Sequence, residues 1–206
     1  MALVPLVMNL PSRHFLTTVE RDERGVIAAR KKKIEQLFTE ANVDAFVFFD
    51  LVTIRYLCGF TGTDGALIVS KDTTSFLSDS RYQTQARQQV KAESVLCYQK
   101  KMDGVVDELK RLGLKCVGFE SETLTVSLWQ EFQEKTADQI VFVPVGKPLK
   151  SLRAIKDSDE IVSLEEAAIL HLQAFEEIKP LLVTGTSEME LALALEFALK
   201  RSGGEA

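Results

Sequence analysis

The sequence is short of the residues that build most hydrolytic centres. Its 206 residues include two histidines, three cysteines and one tryptophan. With only His14 and His171, and no H-E-x-x-H, zinc hydrolysis has no scaffold. No G-x-S-x-G occurs, which excludes the serine-hydrolase elbow. Cys58, Cys97 and Cys116 are odd in number and contain no C-x-x-C, so neither a disulfide framework nor a zinc knuckle is indicated. Buried, reduced thiols in a cytoplasmic protein are the expectation. No apolar run approaches the ~20 residues of a membrane span. The opening MALVPLVMNLP is apolar, but it lacks a basic start and an A-x-A site, so it does not read as a signal peptide. Basic charge is not in excess either. The formal net charge is −5, which argues against a nucleic-acid partner. The one basic cluster, Arg30 to Lys33, falls on an expected helix and reads as a solvated face.

What is present is ordinary globular material, 46% hydrophobic. Residues 1–25 read as a leader. Ile27, Ile34, Leu37, Phe38 and Ala41 share one face of a helix over 26–41, and Asn42 is a plausible stop. DAFVFFD (44–50) is a short apolar run of β-formers, which predicts a buried strand. A helical turn is expected over 51–58. GALIVS (65–70) and TSFLSDS (74–80), joined by a three-residue polar turn, predict a hairpin. Helices are expected over 81–90, 104–113 and 124–137, alternating with strands over 93–99, 116–120 and 139–145. The alternation indicates an α/β fold, and the hairpin makes its sheet mixed, with helices on both faces.

After Val145 the pattern changes. A Gly/Pro-containing linker (146–157) precedes two helices and no strand. Asp157 with Glu160, and Ser187 with Glu190, are capping boxes that start them. Ile161, Leu164, Ala168, His171, Phe175 and Ile178 then recur at helical spacing. His171 on that seam reads as a packing residue, and His14 carries no signal.

Two motifs invite a ligand. The stretch GFTGTDG (59–65) suggests a phosphate cradle. A Walker loop needs Gly-Lys-Ser/Thr, however, and Asp64 stands where positive charge is wanted. A dinucleotide loop leads into a helix, whereas these glycines lead into a strand. The structural reading is a tight connection in which Gly59, Gly62 and Gly65 supply positive φ. In SDSRY (78–82), Asp79 can cap a helix and Arg81 can pair with a carboxylate. The alternative is a ligand-facing loop at a sheet end. Taken alone, the residues form no self-contained catalytic constellation.

Three segments together resemble one family. IRYLCGFTGTDGALIV followed by FLSDSRYQTQA resembles the N-terminal domain of Xaa-Pro aminopeptidases, relatives of prolidase and creatinase. LRAIKDSDEIVSLEEAA and GTSEMELALALEFALKRSGGE resemble the linker and first two helices of the family's catalytic "pita-bread" domain. The resemblance implies a leader (1–25), a creatinase/prolidase N-terminal-like domain (26–145), a linker (146–157) and the start of an incomplete catalytic domain (158–206). It implies a parent that cleaves before proline with two divalent metal ions, Mn, Co or Zn, whose ligands lie beyond this sequence. No metal ligand and no catalytic residue is expected in this chain, which should be inactive by itself. A homodimer or higher homo-oligomer, proline-containing peptides as the parent's substrates and a cytoplasmic location are further implications. Arg55, Tyr56, Thr61, Asp64, Arg81 and Tyr82 become candidates for the rim of a substrate cleft. The same region of a prolidase, or a free-standing binding domain, are the alternatives.

Overall fold

The computed structural model describes residues 23–136 and 139–204. Six strands, β1 (Ala45–Phe48), β2 (Ala66–Ser70), β3 (Thr74–Ser78), β4 (Ser94–Cys97), β5 (Cys116–Glu120) and β6 (Val141–Val145), form one sheet in the order β4-β3-β2-β1-β5-β6. The central β1 runs antiparallel to β2 and parallel to β5. The β2–β3 pair is antiparallel, as the hairpin pattern predicts, while β3–β4 and β5–β6 are parallel. Pro144, which has no backbone N–H, sits in the edge strand β6, where a donor can be spared.

All four residues of β1 are buried because both sheet faces are covered. Phe46 and Phe48 point into a layer with Ile34, Leu37 and Phe38 of α1 (Glu23–Ala41) and Leu57 of α2 (Leu51–Cys58). Ala45 and Val47 point the other way, toward Val105 and Leu109 of α4 (Lys101–Arg111) and Phe132 of α5 (Val126–Thr136). The expected leader overlaps the start of α1, which begins at Glu23; residues 1–22 lie outside the described residues. Asn42 stops α1 with φ 51°. The expected helix over 81–90 is a 3-10 turn, Ser80–Tyr82, leading into α3 (Gln83–Gln89). The segment read as a linker carries a short helix, α6 (Lys147–Ser151), whose Leu149 is buried in the first layer together with Leu152.

The GFTGTDG connection departs from expectation in one respect. Only Gly59 has positive φ, +83°, as the left-handed cap of α2. Gly62 and Gly65 are there for space. A Cβ on Gly62 would lie 2.3 Å from the Phe60 ring, and one on Gly65 would lie 2.9 Å from the Phe76 ring. The two rings, 4.5 Å apart, leave the backbone no room for a side chain. The cysteines also depart: Cys58 is buried, but Cys97 is exposed and Cys116 is partly exposed, since both lie at strand ends.

Helices α7 (Ser158–Ile178) and α8 (Glu188–Arg201) pack on each other through Ala174, Ile178 and Ala198. Both capping boxes are formed. Of the expected apolar seam, Ile161, Leu164 and Phe175 stay exposed, and so do Met189, Leu193 and Phe197 of α8, the last by 66%. His171 is exposed as well, with Nδ1 2.7 Å from the Ala167 carbonyl, and is not the packing residue its spacing suggests.

Candidate functional site

Three places collect polar side chains. The first is a groove of about 830 Å³ between α1, α2, the end of α3 and the start of α7. Its wall is organised around Tyr56, which is 6% exposed. The Tyr56 hydroxyl donates to the Leu152 carbonyl at 3.1 Å and accepts from Lys33 Nζ at 3.2 Å. The Arg30 guanidinium lies 4.2 Å from the centre of its ring. Arg30 also donates to the Tyr56 carbonyl at 2.8 Å, and its Nε and Nη2 reach Asp157 Oδ2 at 3.0 and 2.7 Å. Asp157 caps α7 through the Glu160 amide at 3.0 Å. Burial pushes the Asp157 carboxyl up, but the Glu160 amide and Arg30 outweigh it and hold it below the usual range.

Arg55, Tyr56 and Thr61 of the sequence candidates line this groove. Tyr56 does so as a buried strut, with only its edge available. Thr61 is tied to α3: its N–H and hydroxyl reach Gln89 Oε1 at 3.2 and 3.1 Å. Arg55 is exposed, with no side-chain partner among the described residues.

The other three candidates gather where β2 begins and β3 and β4 end. Tyr98 donates to Asp64 Oδ2 at 2.7 Å, and Lys101 pairs with the same carboxylate. Burial first, then this bond to Asp64, pushes the Tyr98 phenol up. Asp79 caps the 3-10 turn through the Arg81 amide and pairs with the Arg81 guanidinium at 2.6 Å. That hydrogen bond from Arg81 holds the Asp79 carboxyl below its usual range. The Tyr82 hydroxyl bonds Thr63 at 2.6 Å, with its ring edge-on to Phe60. Each of the three therefore has a partner within the fold.

A smaller cavity, about 200 Å³, opens at the C-terminal ends of the parallel strands β1, β5 and β6. The Asp50 amide donates to Glu120 Oε2 at 3.2 Å, and Arg153 Nη2 stands 3.6 Å from Asp50. Burial pushes the Glu120 carboxyl up. Arg153 Nε is buried and has no hydrogen-bond partner among the described residues.

Sequence reasoning assigned Arg30 to a solvated face. The structure corrects this: its side chain is 14% exposed and pairs with Asp157 across 127 positions. A local signal existed, because Arg30 falls three after Ile27 and four before Ile34, on the apolar face of α1. Lys91, Arg153 and Lys156 also line the groove and carried no sequence signal. Among the described residues, no group of three or more His, Cys, Asp or Glu side chains is arranged to hold a metal ion. The two-metal chemistry implied by the resemblance finds no fitting ligand set among the described residues.

Residues 30–155 match the Creatinase/Prolidase N-terminal domain. The chain is 32% identical to the uncharacterized peptidase YqhT of Bacillus subtilis (strain 168) over 175 residues, covering 84% of this chain and 49% of that protein. It superimposes on an Xaa-Pro dipeptidase from Bacillus anthracis with a TM-score of 0.79 and 32% identity, covering 85% of this chain and 49% of the other. For an X-Pro aminopeptidase from Thermotoga maritima MSB8 the TM-score is 0.73 and the identity 25%, covering 81% and 49%. The chain thus spans about half the length of the curated relatives it matches. The matched span takes in more than half of the sequence: the chain belongs to the Creatinase/Prolidase N-terminal domain family.

Proposed function

We propose that this chain is the non-catalytic N-terminal portion of a metal-dependent Xaa-Pro aminopeptidase, serving dimerisation and shaping the rim of the substrate cleft. The carrying observation is the open apolar face of α7 and α8, on a chain that spans half of its peptidase relatives. Ile161, Leu164, Phe175, Leu193 and Phe197 form a surface of the kind that is covered by another layer of protein. The catalytic half of the parent is its proposed cover, and that half would supply the two metal ions. Arg55, Tyr56, Thr61, Asp64, Arg81 and Tyr82 are the proposed rim, and the parent's proposed location is the cytoplasm. A prolidase is the second reading, favoured by the similarity to the dipeptidase of Bacillus anthracis.

The test compares this chain with a version continued through the downstream reading frame. Both are offered an Ala-Pro dipeptide and an Ala-Pro-Ala tripeptide with Mn²⁺. Only the continued version should cleave. Cleavage of the tripeptide supports the aminopeptidase, and cleavage of the dipeptide alone supports the prolidase. Turnover by this chain alone would overturn the proposal. So would a reading frame that ends at Ala206 in a protein without peptidase activity.

A further inference from the structure

The groove beside Tyr56 shares Arg55, Tyr56 and Thr61 with the proposed cleft rim, but its charge pattern extends well beyond them. Five cations, Arg30, Arg55, Lys91, Arg153 and Lys156, line it against two acids, Asp159 and Glu160. The chain as a whole is acidic, with a formal net charge of −5. We infer that this groove binds an acidic peptide segment, held through its side-chain carboxylates.

The donors differ in how far they are already committed. Arg30 is engaged by Asp157 and Tyr56. Lys156 Nζ donates to the Arg153 and Ala154 carbonyls of its own turn. Arg55 and Lys91 have no side-chain hydrogen bond or ion pair among the described residues. Arg153 keeps a buried Nε without an acceptor, and its nearest carboxylate, on Asp50, lies 3.6 Å away. Two cationic groups on separate segments, Arg55 and Lys91, therefore have donors to spare, and Arg153 adds its charge to the wall. Carboxylates satisfy such groups by charge-assisted hydrogen bonds, and an extended chain offers several carboxylates at once.

Size and walls select among anions. A volume of about 830 Å³ far exceeds one inorganic ion. A nucleotide needs a stacking surface and a cradle of free amides, and the groove lacks both among its described residues. The ring of Tyr56 is buried and already faces Arg30. The Gly59 amide is used by the Arg55 carbonyl at 2.9 Å. Between the cations the lining is Val26, Ile27, Val52 and Leu164, with the amide side chain of Gln88. That suits peptide stems and backbone. The cations named here all belong to this chain, so peptide binding by this chain alone can be measured separately from peptidase activity.

The experiment is fluorescence anisotropy of labelled octapeptides with the full 206-residue chain. One peptide is Glu-rich with an amidated C-terminus. Its Gln counterpart is made amidated and, separately, with a free C-terminal carboxylate. The Glu peptide should bind at least about tenfold more tightly than either Gln peptide, and more weakly as salt rises. Arg55→Ala/Lys91→Ala should weaken the Glu peptide by about tenfold or more, the scale of one lost charge-assisted hydrogen bond. Neither side chain holds the fold, so its melting curve should match that of the parent chain. Equal binding of the Glu and Gln peptides, or an unaffected double variant, overturns the inference. So does tight binding of the Gln peptide with a free terminus, which would assign the groove to chain ends.

Discussion

Arg30 joins α1 to α2 and to the start of α7, and its removal measures what that junction contributes. Arg30→Ala deletes a guanidinium with two bonds to Asp157, one bond to the Tyr56 carbonyl and a stack on the Tyr56 ring. The pair is mostly shielded from solvent, at 14% and 23% side-chain exposure, so it is worth more than a surface ion pair. Charge-assisted hydrogen bonds contribute about 1.5–3 kcal/mol. The cation–π contact adds about 1 kcal/mol. Removal also leaves Asp157 half-covered and without its cation. Because these contributions overlap, the net loss should be about 3 kcal/mol by urea denaturation. Arg30→Lys keeps the charge but not the fork, and should lose about half of that. A cycle with Asp157→Ala should show a coupling of about 1–2 kcal/mol. The pH profile adds a signed check. The Asp157 carboxyl is held below its unfolded value of 3.8, so its contribution is present above that value. It is lost as pH falls through the lower, folded value. Arg30→Ala should therefore lose less stability on acidification than the parent chain. A loss under about 1 kcal/mol at neutral pH, or no coupling with Asp157, would refute this account of the junction.

Gly62→Ala should destabilise by about 1–3 kcal/mol in thermal or urea unfolding, because its Cβ would meet the Phe60 and Tyr82 rings. A cost near zero would show that the two rings can move aside. Cys97, being exposed, should react with Ellman's reagent at once. Burial pushes the Cys58 thiol up to about 11, so it should react only on unfolding. Burial raises the Glu120 carboxyl above its unfolded value of 4.5. The stability linked to its protonation is present below 4.5 and is lost as pH rises through the raised value. Glu120→Gln removes that loss, so the variant should gain on the parent chain as pH rises from 4 to 7. Parallel stability curves would contradict it.

What the sequence disclosed was what depends on neighbours along the chain. The run DAFVFFD is uniformly apolar because β1 is covered on both faces, and that composition can be read without knowing what covers it. The caps at Asp157 and Ser187 are three-residue relations, and both are formed. The alternation after Ala45 gave the strands but not their order, because β5 joins β1 over β2 and β3. Gly62 looked like a conformational glycine; its real constraint is the packed pair Phe60 and Tyr82, set by tertiary contact. Arg30 looked solvated because its partner lies 127 positions away. The groove escaped notice for the same reason. Arg55, Lys91 and Arg153 are scattered in the chain and meet only once α6 seats Leu149 and Leu152 in the core.

The mixed direction of β1 also sets an order of events in time. On one side Ala45 pairs with Ser70, and on the other with Val117. The first contact closes a loop of roughly 25 residues and the second one of roughly 70, which costs about 0.9 kcal/mol more in chain entropy. The β1–β2–β3 meander can therefore nucleate alone, while β5 and β6 must wait for α4 to fold against the growing sheet. Pulse-labelled amides of Phe46 and Leu67 should be protected before those of Val117 and Val143. In a chain made from its N-terminus, that order means that the half of the sheet carrying the GFTG connection is assembled while β5 and β6 are still being synthesised.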